Sequence, residues 1–129
     1  MSSIFTKIIS GEIPSYKIAE NKRFLAFLDV NPLQKGHTLI VPKIEIDYIF
    51  DLEDDMLSEM IVFSKQVAKL IKLNTVCNRI GVAVIGLEVP HAHVHLIPIN
   101  KMDDMNFANP KLSLTKDDFI EIQEKIVSK

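Results

Sequence analysis

The chain has 129 residues, a formal net charge of −2, 47% hydrophobic residues and 25% charged residues. This length and composition predict a single domain over residues 1–129, and the near-neutral charge provides no positive field for a nucleic acid or an anionic membrane surface. We therefore expect neither partner. A single cysteine, no recognisable secretory leader and no apolar run of about 20 residues favour a cytoplasmic protein.

The first half of the chain predicts one short helix and three strands. The stretch SSIFTKIISGEIP is typical of a short helix that ends at Gly11, and Pro14 prevents its continuation. SYKIAEN indicates an edge strand, RFLAFLDV a buried strand, and HTLIVPK a second buried strand that ends at Pro42. Because only the turn-rich segment NPLQKG separates the two buried strands, we expect them to pair antiparallel.

The second half predicts two helices and two further strands. In residues 51–74 apolar side chains recur every three to four positions, which indicates an amphipathic helix with Asp51 as its N-cap. RIGVAVIG and HAHVHLIPI indicate strands, and residues 100–113 a loop. LTKDDFIEIQEKIVSK indicates a final helix in which Thr115 and Asp118 form a capping box. Strands on both sides of one long helix predict an α+β domain with a mainly antiparallel sheet.

The stretch PHAHVHLIP carries three of the chain's four histidines at every second position. Side chains of a strand alternate between its two faces, so His91, His93 and His95 are expected on one face. Ala92 and Val94 are then expected on the opposite face, in the core. A row of imidazoles on one side of an apolar segment requires a polar function or a polar environment.

Three kinds of site agree with such a row. Zinc requires every nitrogen at about 2.0–2.1 Å, whereas three attachment points on one strand span about 13 Å, so a metal site would need other ligands, such as Asp29 or Glu88. A catalytic row would use one imidazole as nucleophile and the others to hold a phosphate. The third alternative is a half-buried polar face without chemistry.

The segment HAHVHLI has the form His-x-His-x-His with apolar residues between, and it resembles the signature of the histidine triad (HIT) family of nucleotide hydrolases and transferases. The phrases GEIP, FLD and GHTLIVPK are similar to the N-terminal half of the same family. The resemblance covers about residues 3–99 and leaves residues 100–129 as a loop and a C-terminal helix. It implies a HIT-like fold with five antiparallel strands, one long helix and a shorter C-terminal helix, and a symmetric homodimer.

The resemblance also implies roles for individual residues. His93 would attack the α-phosphorus of a purine nucleotide of the AMP or GMP type and carry the nucleotidyl group. His91 would orient His93, while His95 and His37 would lie at the phosphate. Asp29 would accept hydrogen bonds from the ribose hydroxyls. The implied activity is that of a nucleoside phosphoramidase or related nucleotide hydrolase with no metal and no other cofactor.

Four further residues are expected at the nucleotide. Phe5, Phe27 and Val30 stand where the family builds its apolar slot for the base, and Glu88 stands among the polar positions before the triad. For Phe5 and Phe27, ordinary packing in the core is an equal alternative. An ionised, inward-facing Glu88 would repel a phosphate.

Two features depart from the family pattern. Leu87 stands where a glutamine is usual and Ile80 about where an asparagine is usual, and neither side chain can donate to a phosphate. The loss of donors at these two positions favours the alternative of a nucleotide-binding module with little or no turnover. Ser3, Thr6 and Glu45 stand where many bacterial relatives have two cysteines and a histidine, so we expect the structural zinc site of those relatives to be missing.

Overall fold

The computed structural model describes residues 2–127. In chain order its helices and strands are α1 (Ile4–Ile9), β1 (Lys17–Glu20), β2 (Phe24–Leu28), β3 (Thr38–Pro42), α2 (Asp54–Asn74), β4 (Arg79–Ala83), β5 (Val94–Ile99) and α3 (Lys116–Val127). Single turns of 3-10 helix, Ile49–Asp51 and Met102–Met105, precede α2 and follow β5. Among the helices within residues 2–127, none is long and apolar enough to span a membrane.

The five strands form one antiparallel sheet in the order β1-β2-β3-β5-β4. This confirms the α+β class and the predicted pairing of the two buried strands. The last two strands are shorter than predicted: β4 ends at Ala83, and β5 begins at Val94 instead of His91. The edge strands are β1 and β4.

One face of the sheet packs against α2 and α3. The buried residues of α2 include Met60, Phe63, Val67 and Ile71, spaced three to four apart, which confirms the predicted amphipathic stripe. Phe63 stacks on Phe24 of β2 with ring centroids 5.7 Å apart. Burial of this stripe against the sheet is the main source of hydrophobic stabilisation for a helix of this length.

The opposite face carries a smaller core beneath α1. Its buried residues include Phe5 of α1, Phe27 of β2 and Leu39 of β3. Phe27 lies opposite Leu39 in the sheet, and Leu39 lies opposite His95 of β5. This row of directly opposed residues across three strands leads from the small core to the histidines.

The start of α2 differs from the sequence prediction. The helix begins at Asp54 with Glu53 as N-cap, whereas Asp51 lies in the preceding turn of 3-10 helix, so the prediction of an Asp51 cap is wrong. Leu52 is only 5% exposed, because the chain places this side chain in the core before the helix begins. Asp54 and Asp55 still lie in the first turn, where the helix dipole favours negative charge.

The predicted capping box of α3 is confirmed. The backbone N–H of Thr115 donates to Oδ2 of Asp118 at 2.9 Å, and the backbone N–H of Asp118 donates to Oγ1 of Thr115 at 3.1 Å. Phe119 and Ile126 of the same helix are buried against the main core. The last two residues of the predicted helix lie outside the described residues.

Two glycines with positive φ allow backbone strain and steric contact to be separated. At Gly36, with φ of +95°, an added Cβ would lie 3.2 Å from Cγ of Pro98 and 3.3 Å from Cγ2 of Thr75, whereas at Gly11, with φ of +85°, it would meet nothing within 4 Å. We expect Gly11→Ala to lower the free energy of unfolding by about 1 kcal/mol through strain alone, and Gly36→Ala by about 2–3 kcal/mol. Urea unfolding of both variants measures the difference, and equal losses would contradict it.

Candidate active site

The four histidines come together on the face of the sheet that carries the small core. His95 lies on β5, whereas His91 and His93 precede that strand, so the prediction that all three share one strand is wrong in its bounds. The alternation nevertheless continues before the strand, because Ala92 and Val94 are buried in the main core on the α2 side. The side chains of all three histidines are buried.

The hydrogen bond of His93 determines which of its ring nitrogens is reactive. Nδ1 of His93 lies 2.7 Å from the backbone oxygen of His91. A carbonyl oxygen can only accept, so Nδ1 carries the proton. In the neutral ring Nε2 then holds a free lone pair, which is the requirement for a nucleophile or a base.

A second chain of hydrogen bonds determines the tautomers of His37 and His95. The backbone N–H of Leu33 donates to Nδ1 of His37 at 3.0 Å, so the proton of His37 is on Nε2. This Nε2–H donates to Nδ1 of His95, 3.0 Å away. The proton of His95 is therefore on Nε2, which can donate a hydrogen bond to another group.

Burial keeps these rings neutral. Removal from water disfavours the imidazolium, and with a smaller contribution from the charge of a neighbouring histidine it lowers the pKa of His37 to about 3 and that of His95 to about 4. Burial also lowers the pKa of His91, against the opposing effects of the Pro42 carbonyl and of Glu45. The hydrogen-bond directions above require these neutral forms.

A pocket of about 250 Å³ opens beside the histidines. Its lining includes His37, His93 and His95, but not His91. The same pocket is lined by all the other residues that the sequence assigned to the nucleotide, namely Phe5, Phe27, Asp29, Val30 and Glu88. Tertiary structure thus gathers residues from four separate segments around one cavity.

Asp29 lies at the polar end of the pocket. Its Oδ1 accepts from the backbone N–H of Asn31 at 2.8 Å, and its Oδ2 lies 3.5 Å from Nε2 of His37. Burial raises the pKa of the Asp29 carboxyl, while the Asn31 N–H and nearby positive charge oppose that rise. The carboxylate oxygens remain available as acceptors for a polar ligand group.

Phe5 and Phe27 form the apolar wall, and both alternatives considered for them apply. They are buried in the small core, and their rings also line the pocket. The ring centroid of Phe5 lies 5.6 Å from that of Phe27 and 5.0 Å from that of His93, in edge-to-face arrangements. Val30 is 60% exposed and lines the pocket, so it lies at the rim rather than in the wall.

The residues that depart from the family pattern occupy two different places. Leu87 and Glu88 line the pocket and are exposed, so neither is held against the histidines. Ile80 lies on β4 and packs against the main core. It does not line the pocket, so its lack of a polar group has no direct effect there.

Two residues at the pocket were not anticipated. Phe107 lies over His95 with ring centroids 4.9 Å apart, and the ammonium of Lys111 donates to the backbone oxygen of Phe107 at 2.8 Å. The backbone N–H of Leu112 donates to the oxygen of Pro32 at 2.8 Å and holds this loop against the chain. In the sequence, Phe107 is the one aromatic residue of a polar loop, which could have indicated a functional position. The sequence could not show that its ring packs against His95.

Within residues 2–127, one group of three side chains has the spacing of metal ligands. Asp29, His37 and His95 offer ligand atoms that lie within 4.8 Å of one another. The Leu33 N–H nevertheless assigns the proton of His37 to Nε2, on the line to His95. A hydrogen bond therefore accounts for the approach of the two rings. Both nitrogens of His37 are engaged, Nδ1 by the Leu33 N–H and Nε2 by His95.

The residues at the expected zinc-ligand positions also meet. Ser3, Thr6 and Glu45 form hydrogen bonds with one another, and the hydroxyl of Ser3 lies 2.7 Å from Nδ1 of His91. Two hydroxyls and a carboxylate offer none of the thiolate ligands that favour structural zinc. The cluster is filled by mutual hydrogen bonds.

Comparisons with known proteins agree on one family. A family model described as HIT domain matches residues 10–102. The adenosine 5'-monophosphoramidase of Schizosaccharomyces pombe is 34% identical over 133 residues, covering 100% of this chain and 98% of the relative. The adenosine 5'-monophosphoramidase of Saccharomyces cerevisiae is 43% identical over 97 residues, covering 74% of this chain and 61% of the relative. The crystal structure of a Hit-like protein from Bartonella henselae superimposes with a TM-score of 0.84 at 27% identity, covering 98% and 95% of the two chains.

The lowered histidine pKa values predict loss of stability in mild acid. Unfolded histidine titrates near pH 6.5, so below that pH the unfolded chain binds protons that buried His37 and His95 do not bind. The contribution of the two neutral rings to the free energy of unfolding should therefore be fully present above about pH 7 and fall as the pH drops from about 6.5 toward 3–4. Between pH 7 and pH 5 we expect a loss on the order of 2 kcal/mol per ring. Urea unfolding at both pH values measures it. His95→Asn should show a smaller fall than the unsubstituted chain, and an identical fall would contradict the assignment.

Proposed function

The chain belongs to the HIT domain family, and we propose that it is a nucleotide hydrolase that cleaves purine nucleoside phosphoramidates at the α-phosphorus. The observation that carries this proposal is the single tautomer of His93. Its Nδ1–H is bound to a backbone carbonyl, so Nε2 keeps a free lone pair, and the residue lines the pocket. The names of the two yeast relatives support a phosphoramidate as the substrate class.

In the first step, Nε2 of His93 attacks the α-phosphorus. A nitrogen–phosphorus bond forms to the ring, and the bond from phosphorus to the leaving amine breaks. The leaving nitrogen takes a proton from solvent water and departs as a neutral amine, and the nucleotidylated ring of His93 becomes positively charged. The Nε2–H of His95 donates a hydrogen bond to a phosphate oxygen and stabilises the developing charge, because its other nitrogen is already engaged by His37.

In the second step, water attacks the phosphorus of the nucleotidyl-histidine. The bond between phosphorus and Nε2 breaks and returns its electron pair to His93, which becomes neutral again. The water loses one proton to the solvent, which replaces the proton used in the first step, and becomes a hydroxyl of the nucleoside monophosphate. The carbonyl of His91 holds Nδ1–H throughout both steps and stabilises the charge that the ring acquires. Neither step requires a metal ion.

Nucleotide binding follows from the two ends of the pocket. The carboxylate of Asp29 is suited to the ribose hydroxyls, since an ionised oxygen accepts strong hydrogen bonds. Phe5 and Phe27 provide an apolar wall for a purine, with Val30 at its rim. Glu88 is exposed at the pocket mouth and can turn toward solvent, away from the phosphate.

An alternative function, nucleotide binding with little or no turnover, is favoured by one observation. Leu87 lines the pocket and is 88% exposed, so the position before Glu88 supplies no donor to a phosphate oxygen. Loss of such a donor reduces stabilisation of the transition state more than it reduces binding. The experiment below separates the two functions.

We also propose that the protein is a single HIT domain that forms a homodimer through β4 and α2. The strand β4 is an edge of the sheet, and its Val82 is 58% exposed. On α2, Leu73 is 78% exposed beside an apolar depression that also includes Ala68 and Ile80. An unpaired strand edge next to exposed apolar residues is a surface that pairs with a second copy about a two-fold axis.

His93→Ala should abolish turnover. With adenosine 5'-phosphoramidate carrying a fluorescent amine, we expect loss of at least about a thousandfold in kcat/KM, because the nucleophile is removed. His95→Ala and His91→Ala should retain more activity, since they assist without attacking. Mass spectrometry after brief exposure should find a nucleotide adduct on His93.

The control for this experiment is binding. His93→Ala should still be stabilised thermally by AMP, because the pocket wall and Asp29 are unchanged. Stabilisation of the unsubstituted protein by AMP without product formation would favour the binding module. Equal, background-level turnover in both proteins, with no adduct, would rule out the proposed reaction.

Val82→Glu should convert the proposed dimer to a monomer. Two like charges would then face each other across the two-fold axis in a poorly hydrated interface, so we expect at least a tenfold increase in the dissociation constant. Sedimentation velocity at several concentrations measures it. Val127→Glu, at a residue of α3 that is 49% exposed, is the matched control and should leave the sedimentation coefficient unchanged. A similar effect of both variants would reject the interface.

A further inference from the structure

A hydrogen-bonded cluster joins the start of α1 to the segment after β3 and to His91. The backbone N–H of Ser3 donates to Oε1 of Glu45 at 2.7 Å, and the hydroxyl of Thr6 donates to the same oxygen at 2.6 Å. The hydroxyl oxygen of Ser3 accepts from the backbone N–H of Thr6 at 3.1 Å, as the N-cap of α1. Neither Ser3, Thr6 nor Glu45 lines the pocket.

The direction of the bond between Ser3 and His91 can be assigned from the other side of the ring. Nε2 of His91 lies 2.9 Å from the backbone oxygen of Pro42, which can only accept, so Nε2 carries the proton. Nδ1 of the neutral ring is then an acceptor. The single hydroxyl hydrogen of Ser3 therefore points to Nδ1 of His91, 2.7 Å away.

His91 in turn holds the residue at the centre of the pocket. Its backbone oxygen accepts a hydrogen bond from Nδ1–H of His93, and this bond leaves the free lone pair of that ring on Nε2. Phe5 of α1 contacts both rings edge-to-face, with centroids 5.8 Å from His91 and 5.0 Å from His93. A displacement of His91 thus moves the carbonyl on which the tautomer of His93 depends.

We propose that Ser3, Thr6 and Glu45 are positioning residues for the proposed hydrolysis, which hold His91 in one ring orientation and thereby hold His93 in its reactive tautomer. Glu45 makes its hydrogen bonds to Ser3 and Thr6, and it positions the ring of His91 through them. Thr6 fixes the carboxylate and, through its backbone N–H, the hydroxyl of Ser3. None of the three lines the pocket, so their effect should fall on the reaction and not on binding. This inference rests on the proposed function.

Four variants separate positioning from simple stability. Ser3→Gly removes the hydroxyl at a helix N-cap, where glycine is tolerated, and Ser3→Thr keeps both the cap and the donor. Glu45→Gln keeps the shape but removes the charge, and Thr6→Val removes only the hydroxyl donor. Ser10→Gly is the control, because Ser10 ends the same helix and its hydroxyl bonds exposed backbone groups far from the histidines: it donates to the oxygen of Lys7 and accepts from the N–H of Glu12.

We expect Ser3→Gly and Thr6→Val to lower kcat by on the order of tenfold, and Glu45→Gln by less, because small displacements of reacting groups are costly. The dissociation constant for AMP should stay within about twofold of that of the unsubstituted protein. Ser3→Thr should restore most of the activity, and Ser10→Gly should not change it.

Nitrogen-15 spectra of the histidine rings provide a readout that loss of stability alone does not change. In the folded unsubstituted protein, Nδ1 of His91 should show the shift of a hydrogen-bonded acceptor and Nδ1 of His93 that of a protonated nitrogen. In Ser3→Gly, the Nδ1 shift of His91 should move to that of a free acceptor, and the second tautomer of His93 should become detectable.

The inference and the proposed function fail in different ways. Lack of turnover by the unsubstituted protein would reject the proposed function, and the nitrogen shifts would then decide the network by themselves. An active protein in which Ser3→Gly, Thr6→Val and Glu45→Gln keep both kcat and the nitrogen shifts of His91 and His93 would overturn the inference alone. A lower melting temperature of these variants with unchanged kcat and unchanged nitrogen shifts would also overturn the inference.

Discussion

The candidate site depends on holding buried imidazoles in the neutral form, each in one tautomer. Desolvation supplies the neutral form, as the lowered pKa values of His37 and His95 indicate. Backbone groups supply the tautomers, since a carbonyl can only accept and an amide N–H can only donate. The carbonyl of His91 accepts a hydrogen bond from Nδ1–H of His93, which keeps the proton on that nitrogen and leaves Nε2 free. This free nitrogen is the chemical reason for the proposed nucleophile.

The layering of the domain explains why this environment can exist. The large core between the sheet and its two longer helices stabilises the fold, so the thinner opposite face can hold polar groups. There the six-residue α1 supplies both apolar cover, through Phe5, and polar cover, through Ser3. The loop after β5 closes the other side with Phe107 over His95. Burial of the histidines thus comes from two local segments at opposite ends of the sequence.

Much of the fold and part of the site could be predicted from local patterns. The period of α2 and the turn between the two buried strands gave the α+β class, and the box of Thr115 and Asp118 gave the start of α3. The errors are instructive. Asp51 does not cap α2, because burial of the neighbouring Leu52 delays the helix to Asp54. The last strand begins only at Val94, because the residues before it bond to side chains and loops instead of to a neighbouring strand.

The sequence by itself determined which residues could do chemistry, because the alternation of HAHVHLI puts apolar and polar side chains on opposite sides whatever the exact strand bounds. Only the tertiary structure decided what each ring can do. The partners that orient His91 are Ser3, 88 positions away, and Pro42, 49 positions away, and His37 is 58 positions from His95. No local pattern encodes such contacts, since they arise when the sheet and α1 pack together. The tautomer of each imidazole, and with it the position of the reactive lone pair, is a property of that packing.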